Sequence, residues 1–361
     1  MSDQEKLDAI RQQIDQLDLT IQKLINQRAA IAQEVAKIKL KEDKDAFFYR
    51  PERESAILRR IKERNTGPMG DEEMARLFRE VMSACLALEQ PMKIAFLGPE
   101  GTFTQSAALK HFGHSVNTIP MASIPDIFRD VESGAAHYGV VPVENSTEGM
   151  VNHTLDTFVT SSLNICGEVM LRIHHHLLSE ETDLDGVERV FSHQQSLAQC
   201  RLWLDRYLPH AEQVTVGSNA EAARLVKSQP HTAAIAGEMA AELYQLKGLA
   251  RNIEDEPDNT TRFLVVGQQK PLPSGLDKTT LLCATRNVAG GLNELLEPLA
   301  QHGISMSRIE SRPSRQGNWD YLFFIDIEGH QNDKNIALAL KEFHNKSRML
   351  KVLGSYPHAV L

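Results

Sequence analysis

The sequence predicts a chain of three parts: an all-α unit, a two-lobed α/β unit, and a small α+β unit with the element order βαββαβ. Three observations carry that expectation. Apolar residues recur every three or four positions in the N-terminal stretch, short apolar strands alternate with helices from Met92 onward, and the pattern changes again after the Pro- and Gly-containing link PLPSGL. A length of 361 residues exceeds one ordinary core, and 42% hydrophobic residues suits a folded globular chain. The units are expected at 1–90, 91–270 and 276–361.

Composition narrows the function classes. The N-terminus opens on charged residues rather than an apolar signal core, and no apolar stretch approaches the roughly 18 residues of a membrane span. A cytoplasmic protein without a membrane partner is expected. Cys85, Cys166, Cys200 and Cys283 are scattered, without CxxC or Cys/His ligand spacing, so reduced thiols are expected and no metal. A formal charge of -9 gives no electrostatic reason to expect nucleic acid as a partner. The expected partners are small molecules.

In the first unit, Leu7, Ile10, Ile14, Leu17, Ile21, Leu24, Ile31, Val35 and Ile38 form the seam of one long helix, broken only by Arg28. A guanidinium on an apolar seam calls for an anionic partner. At about 1.5 Å per residue, Arg28 and Lys39 lie roughly 16 Å apart on nearly one face, able to flank one small dianion. Arg11 stands about 42 Å from Lys39 along the same axis, so it can join them only from a second, antiparallel copy of the chain. Two shorter helices follow, from Pro51 to Arg64 and from an Asp71 N-cap to Glu89, parted by Gly67-Pro68. Cys85 and Glu89 sit one turn apart on the last of them. The same pattern also describes a purely structural dimerisation unit with solvated charges.

Arg11, Arg28, Lys39, Arg53, Glu54, Cys85 and Glu89 together resemble the all-helical chorismate mutases, over residues 5 to 90. That resemblance implies a homodimer in which each site receives one arginine from the partner. Arg11, Arg28, Lys39 and Arg53 would hold the two carboxylates and the ether oxygen of chorismate, and Glu54 its hydroxyl. The loop FFYRPERE runs about two residues longer than in the best-known members, and Glu89 stands where a glutamine is often found. The reaction needs no nucleophile or cofactor, only confinement of a flexible dianion and cationic stabilisation of the breaking ether.

The middle unit begins with the strand MKIAFLG, a Gly-rich turn and a helix from about Phe103, read as α/β with a mostly parallel sheet. A weak repeat relates SIPDIFRDVESGAAHYGVV from Ser123 to SNAEAARLVKSQPHTAAIA from Ser218, with N-cap serines and matched Arg129/Arg224 and Val131/Val226. A ligand cleft between two related lobes follows. GPEGTFTQ can present backbone donors to a carboxylate at a helix N-terminus, although by itself it is more often a plain structural turn. No GxGxxG or GxxxxGK[ST] run occurs, against nucleotide enzymes.

In order, GPEGTFT, VVPVENSTEG, FSHQQS and NTTRF closely resemble the prephenate dehydratases, over residues 92 to 267. The resemblance implies a two-lobed fold similar to periplasmic-type binding proteins. It places Thr102, Glu144, Asn145, Ser146, His175, Ser192, His193, Gln199, Ser218, Thr261 and Arg262 in the cleft. Arg262 would anchor a carboxylate of prephenate, Thr261 would hydrogen-bond the departing hydroxyl, and a neutral Glu144 would supply a proton. His175 and His193 read equally as core histidines satisfying local hydrogen bonds. In the run His174–His176 the faces alternate, so one side is expected toward the cleft.

The last unit reads as a strand (TTLLCATR), a helix, two strands (ISMSRIESRP and WDYLFFIDI), a helix and a strand (RMLKVLG), a ferredoxin-like βαββαβ sandwich. AGGL at Ala289–Leu292 and ESRP at Glu310–Pro313 resemble the phenylalanine-binding signature of ACT domains, over residues 278 to 355. That implies an L-phenylalanine site at Gly290, Gly291, Leu292, Glu310, Ser311 and Arg312, the glycines letting an amino acid approach the helix N-terminus.

The three parts together resemble bifunctional chorismate mutase/prephenate dehydratases with an ACT domain: chorismate to prephenate, then to phenylpyruvate, inhibited by L-phenylalanine. No cofactor is expected. ACT contacts could build a homo-oligomer larger than a dimer. Two other readings stand beside this one. A non-catalytic carboxylate or amino-acid sensor uses the same folds, and a mutase-dehydrogenase fusion would need the nicotinamide glycine pattern that is missing here.

Overall fold

The computed structural model describes residues 2–42, 47–285, 288–313 and 321–361. Helix α1 (Asp3–Glu42) runs for 40 residues with its apolar seam, from Leu7 to Ile38, exposed along its length. The face it turns inward is a different one. Over its C-terminal half, Arg28, Ala29, Ala32, Ala36 and Lys39 are the less exposed positions. Their three- and four-residue spacing puts them on one side, where three small alanines let α3 lie close. Helix α2 (Pro51–Arg64) takes its proline in the first turn, where a missing N–H costs nothing. Helix α3 (Asp71–Glu89) is capped by Gly70, one residue before the expected cap. Asp71, Glu72 and Glu73 instead fill the first turn, where negative charge suits the helix dipole.

The first lobe holds β1 (Lys93–Leu97), α4 (Phe103–Phe112), β2 (Asn117–Met121), α5 (Ile124–Glu132), β3 (Tyr138–Asn145), β4 (Gly149–Met150), α6 (Asn152–Thr160) and β5 (Asn164–Arg172). The second holds β6 (His176–Ser179), β7 (Arg189–Ser192), α7 (Gln194–Gln199), α8 (Arg201–Tyr207), β8 (Glu212–Thr215), α9 (Asn219–Val226), β9 (Thr232–Ala236), α10 (Glu238–Tyr244) and β10 (Lys247–Ala250). Strand β11 (Thr260–Gly267) then returns to the first lobe. Its sheet is ordered β2-β1-β3-β11-β5 with β4 on β3, and the second sheet β10-β6-β9-β7-β8.

Both sheets are mixed rather than mostly parallel. β1 is parallel to β2 and β3, and β7 to β8 and β9, but β11 is antiparallel to both β3 and β5. The cause is the double crossing. β3 and β5 run toward the second lobe, and β11 comes back from it between them. The two crossings are stitched side by side, Ile173 N–H donating to Asn259 O at 2.8 Å and Ile253 N–H to His175 O at 2.9 Å. The repeat shows directly: Ser123 caps α5 and Ser218 caps α9, each accepting from the N–H three residues on. Arg129 and Arg224 ion-pair with the acid three residues before them, and Val131 and Val226 are buried.

The C-terminal unit comprises β12 (Asp277–Ala284), α11 (Gly291–Gln301), β13 (Met306–Pro313), β14 (Tyr321–Glu328), α12 (Lys334–Lys346) and β15 (Met349–Pro357), in an antiparallel sheet ordered β13-β14-β12-β15. Arg286, Trp319 and Asp320, expected at strand ends, lie outside the described residues. Strand alternation gives this sheet two buried faces. Leu281, Cys283 and Ile325 pack under Leu295, Leu299 and Phe343 of the helices, while Leu282, Phe324, Leu353 and Tyr356 join the core of the first lobe. Beyond β15, Val360 and Leu361 pack on Leu58, Ala75 and Met82 of α2 and α3. The four cysteines are free and buried, and no helix among the described residues is long and apolar enough to cross a membrane.

Candidate active and effector sites

The three helices and the segment before α2 enclose a cavity of about 650 Å³ lined by Arg28, Lys39, Arg53, Glu54, Cys85 and Glu89. Six of the seven residues singled out in this unit therefore meet around one volume. The seventh, Arg11, is exposed near the far end of α1, paired with Asp8 at 3.4 Å. Lys39 Nζ donates to the Phe48 carbonyl at 3.4 Å, and burial, with Arg50 beside it, lowers its pKa. Glu54 is held by an ion pair to the buried Arg79 of α3. The Glu89 carboxyl is pushed up by burial, against the pull of Lys39 and Arg28. Arg50 also lines the cavity and was not foreseen. Its only sequence signal was its place in FFYRPERE.

Between the lobes a chain of side chains joins the sites carried by β3, β11 and the two crossings. Asn145 Nδ2 donates to Thr261 Oγ1 and to Asn259 Oδ1, both at 2.8 Å. Asn259 Nδ2 donates to Gln199 Oε1 at 3.2 Å, and His175 Nε2 lies 2.9 Å from the same oxygen. Since Gln199 Oε1 only accepts, His175 Nε2 carries the hydrogen and Nδ1 is left with its lone pair. That Nδ1 is buried and has no partner. Burial lowers the imidazole's pKa against the bond to Gln199, which favours the neutral form. Phe103 meets its ring edge-on at 5.5 Å. Asn259 is buried and bridges both sides of this chain, yet sequence reasoning passed over it although it opens NTTRF.

The remaining cleft candidates stand around this chain. Asn145 Oδ1 accepts from the N–H groups of Thr147 and Glu148 at 2.9 and 3.0 Å, and Ser146 Oγ accepts from Thr260 N–H at 2.9 Å. Thr102 precedes α4 and donates to the Leu97 carbonyl at 3.1 Å. Gly101, at φ +85°, lies with its would-be Cβ position 3.4 Å from Ala240 Cα in the opposite lobe, so the Gly-rich turn seals the lobes together. His193 caps α7 and Ser218 caps α9, the first donating its N–H to Asn219 Oδ1 at 3.1 Å.

Four assignments change. Arg262 pairs across the sheet with Glu144 while Thr261 pairs with Asn145, so the two pairs occupy opposite faces of β11 and β3. Arg262 is buried against the C-terminal sheet, bonded to Glu168 at 2.9 Å, Asp326 at 2.6 Å and the Tyr356 hydroxyl at 2.9 Å. With its donors committed there, it is not the carboxylate anchor. Glu144 lies on that same face, paired with Arg308 at 3.4 Å, and is not aimed at the Thr261 side. Ser192 is fully buried, its hydroxyl 3.0 Å from Asn219 Oδ1 and 2.9 Å from the Ile235 carbonyl, so it shapes the second lobe instead of facing a ligand. Of the run His174–His176, His174 bonds Glu254 and His176 pairs with Glu238, leaving His175 as the member that joins the cleft chain.

In the C-terminal unit Gly290, at φ +83°, precedes α11, whose first residues are Gly291 and Leu292. On β13, Arg312 opposes Leu322, which opposes Ala284, so Glu310–Pro313 lies at the same edge of the sheet as the β12 end that leads to Gly290. Along β13 Ser311 is exposed, whereas Glu310 and Arg312 are half-buried. Arg312 corrects the fourth assignment: it pairs with Asp156 at 2.9 Å and with Asn152, both on α6, and so grips the dehydratase lobe and not an effector.

A family model for chorismate mutase type II matches residues 10–90, one for prephenate dehydratase matches 94–271, and one for the ACT domain matches 279–345. Fold and sites thus define a mutase-dehydratase fusion with an ACT domain. A relative from Stutzerimonas stutzeri named bifunctional chorismate mutase/prephenate dehydratase is 57% identical, with 100% of each chain covered. One of the same name from Pseudomonas aeruginosa is 56% identical over 100% of both. The crystal structure of a prephenate dehydratase in complex with L-Phe from Arthrobacter aurescens aligns at TM-score 0.69 and 36% identity, over 74% of this chain and 90% of that one. The chain belongs to the bifunctional chorismate mutase/prephenate dehydratase family.

Proposed function

We propose that the helical cavity is the mutase site, the interlobe chain the dehydratase site, and the Gly290/Ser311 edge an L-phenylalanine site that inhibits the enzyme, within units spanning 1–90, 91–270 and 276–361. The observation that carries the reading is the convergence of Arg28, Lys39, Arg53 and Glu89, distant in sequence, on one cavity beside a separate Asn145–Thr261 contact. In the cavity the cations hold the carboxylates of chorismate in the reactive shape, and Lys39 with Glu89 donate to the ether oxygen as its bond breaks. Arg11 of a second copy completes the site, which makes the enzyme a homodimer packed along the exposed seam of α1. A cytoplasmic enzyme fed by soluble chorismate fits this chemistry.

In the second site the bond to the ring carboxylate breaks, its electron pair enters the ring, and the ring hydroxyl leaves as water with one proton taken up. Prephenate dianion plus a proton thus yields phenylpyruvate, carbon dioxide and water. Thr261 Oγ1 accepts from Asn145, so its own O–H is free to donate to the departing hydroxyl. With Arg262 turned away, the N–H groups opening α4 beside Thr102 are the donors for a substrate carboxylate. Ser311 and the backbone at Gly290 and Gly291 take the amino acid, and Arg308 and Arg312 on the other side of β13 pass its effect to β3, Met150 and α6.

The test is to incubate purified protein with chorismate, without nucleotide, and follow phenylpyruvate by its alkaline absorbance. Phenylpyruvate formation that L-phenylalanine suppresses is the expected result. Formation of neither prephenate nor phenylpyruvate would favour a sensor.

A further inference from the structure

Tyr49 belongs to two units at once. It lines the mutase cavity together with Phe48 and Arg50. Its ring, however, is buried in the first dehydratase lobe among Met92, Ile94, Phe112, Tyr138 and Val140. The ring centroids of Phe112 and Tyr138 lie 5.1 and 5.3 Å away, and its hydroxyl is 2.8 Å from His111 Nε2. Burial pushes the imidazole of His111 well below its ordinary range and the phenol above its own, so two neutral groups share one hydrogen bond.

The neighbours of Tyr49 in sequence all serve the cavity. On one side the Phe48 carbonyl accepts from Lys39 Nζ at 3.4 Å, and the Phe48 ring lies 5.4 Å from the same ammonium. On the other, Arg50 precedes α2, whose first turn carries Arg53 and Glu54. The segment therefore hangs between one anchor in the dehydratase and groups that face the chorismate cavity. An exposed Tyr49 would leave the Phe48 carbonyl and the start of α2 without that fixed point.

We propose that Tyr49 is a positioning residue for the mutase: by seating its ring in the dehydratase lobe, it fixes Phe48 against Lys39 and the α2 entry that bears Arg53, so the mutase site is completed by the dehydratase domain. This rests on the reading of the helical cavity as the mutase site. Catalysis by confinement is sensitive to small displacements, because cationic groups a fraction of an ångström out of place lose much of their preference for the reactive geometry.

The experiment uses the full chain with Tyr49→Ala, Tyr49→Phe and Tyr49→Leu. Mutase kinetics on chorismate, dehydratase kinetics on added prephenate and thermal melting are measured for each. For Tyr49→Ala, mutase kcat/KM falls about tenfold or more at temperatures where the protein is fully folded, with KM raised as well as kcat lowered. Dehydratase kcat/KM stays within about threefold, and Tyr49→Phe, which keeps the ring and loses one neutral hydrogen bond, rescues the mutase to within about threefold of the parent. A folded Tyr49→Ala with parental mutase kinetics, or one losing both activities equally, overturns the proposal. Should Tyr49→Ala not fold, Tyr49→Leu, which stays apolar but leaves the seat of the ring partly empty, decides: mutase loss without matching dehydratase loss supports it, and unchanged mutase kinetics overturns it. A parent protein without mutase activity would instead refute the reading of the cavity.

Discussion

Glu89 is the site residue whose role turns on a single proton. To donate to the ether oxygen its carboxyl must be protonated, and in this cavity two influences oppose each other. Burial at the end of α3 penalises the carboxylate, while Lys39 and Arg28 favour it. Burial is the larger, so the group titrates above the ordinary glutamate range. The active form is the protonated one, present below the folded-state pKa and lost as pH rises through it. For one ionisation the mutase rate then falls about tenfold per pH unit above that pKa. The fall continues until the donor's whole contribution, about 3 kcal/mol or two orders of magnitude, is gone.

Glu89→Gln donates at every pH, so its profile should lack that fall and keep only the later one due to Lys39, which must stay charged. Lys39 itself titrates below the ordinary lysine value through burial and Arg50, with Glu89 among the groups holding it up. Removing the Glu89 charge therefore moves the Lys39 limb toward lower pH, never higher. Initial rates on chorismate across the pH range, with dehydratase rates on added prephenate as internal control, read both limbs. A Glu89→Gln mutase profile that overlays the parent would refute the argument and return Glu89 to the role of a solvated helix-end residue.

Two further predictions separate the sites and the signal. Arg28→Ala should cost the mutase about 3 kcal/mol of transition-state stabilisation and spare the dehydratase. Thr261→Ala should stop the chain at prephenate while costing only about 1 kcal/mol of stability, and equal loss of both activities in either folded variant would contradict this separation. Ser311→Ala should weaken L-phenylalanine binding measured by calorimetry, whereas Arg312→Ala should leave binding nearly intact and weaken the coupling, read as residual dehydratase activity at saturating effector. Parallel loss of binding in both would return Arg312 to the effector site.

Much of this architecture was legible because it rests on periodicity and punctuation. The three helices, the capped repeat from Ser123 and Ser218, and the βαββαβ order all follow from local spacing and local turns. What stayed hidden depends on which element lies opposite. The seam of α1 dominates its hydrophobic pattern, yet within one chain the packing face is the quieter Ala29, Ala32 and Ala36, and the seam stays exposed. Asn259 lies inside the NTTRF motif, yet only the side-by-side path of the two crossings brings it between Asn145 and Gln199.

Two adjacent residues of β11 show how strand geometry divides a motif. Thr261-Arg262 reads as one catalytic pair, and a strand makes that impossible for two inward-facing groups, because successive side chains leave on opposite faces. Thr261 takes the cleft face with Asn145, so Arg262 must take the face covered by the C-terminal sheet, and the sequence compensates for burying it there. Glu168 on β5 and Asp326 on β14 accept from it, Lys278 adds a second cation to Glu168 at 2.9 Å, and Thr280 donates to Asp326 at 2.6 Å. Removing one partner would leave a buried charge uncompensated at a cost of about 3–5 kcal/mol, so the cluster fixes which residues of the C-terminal sheet sit against β11. One residue of β11 thus faces the interlobe cleft and the next faces the C-terminal sheet. On the proposed reading, a shift of the C-terminal sheet would reach the Thr261 hydroxyl through a single peptide unit.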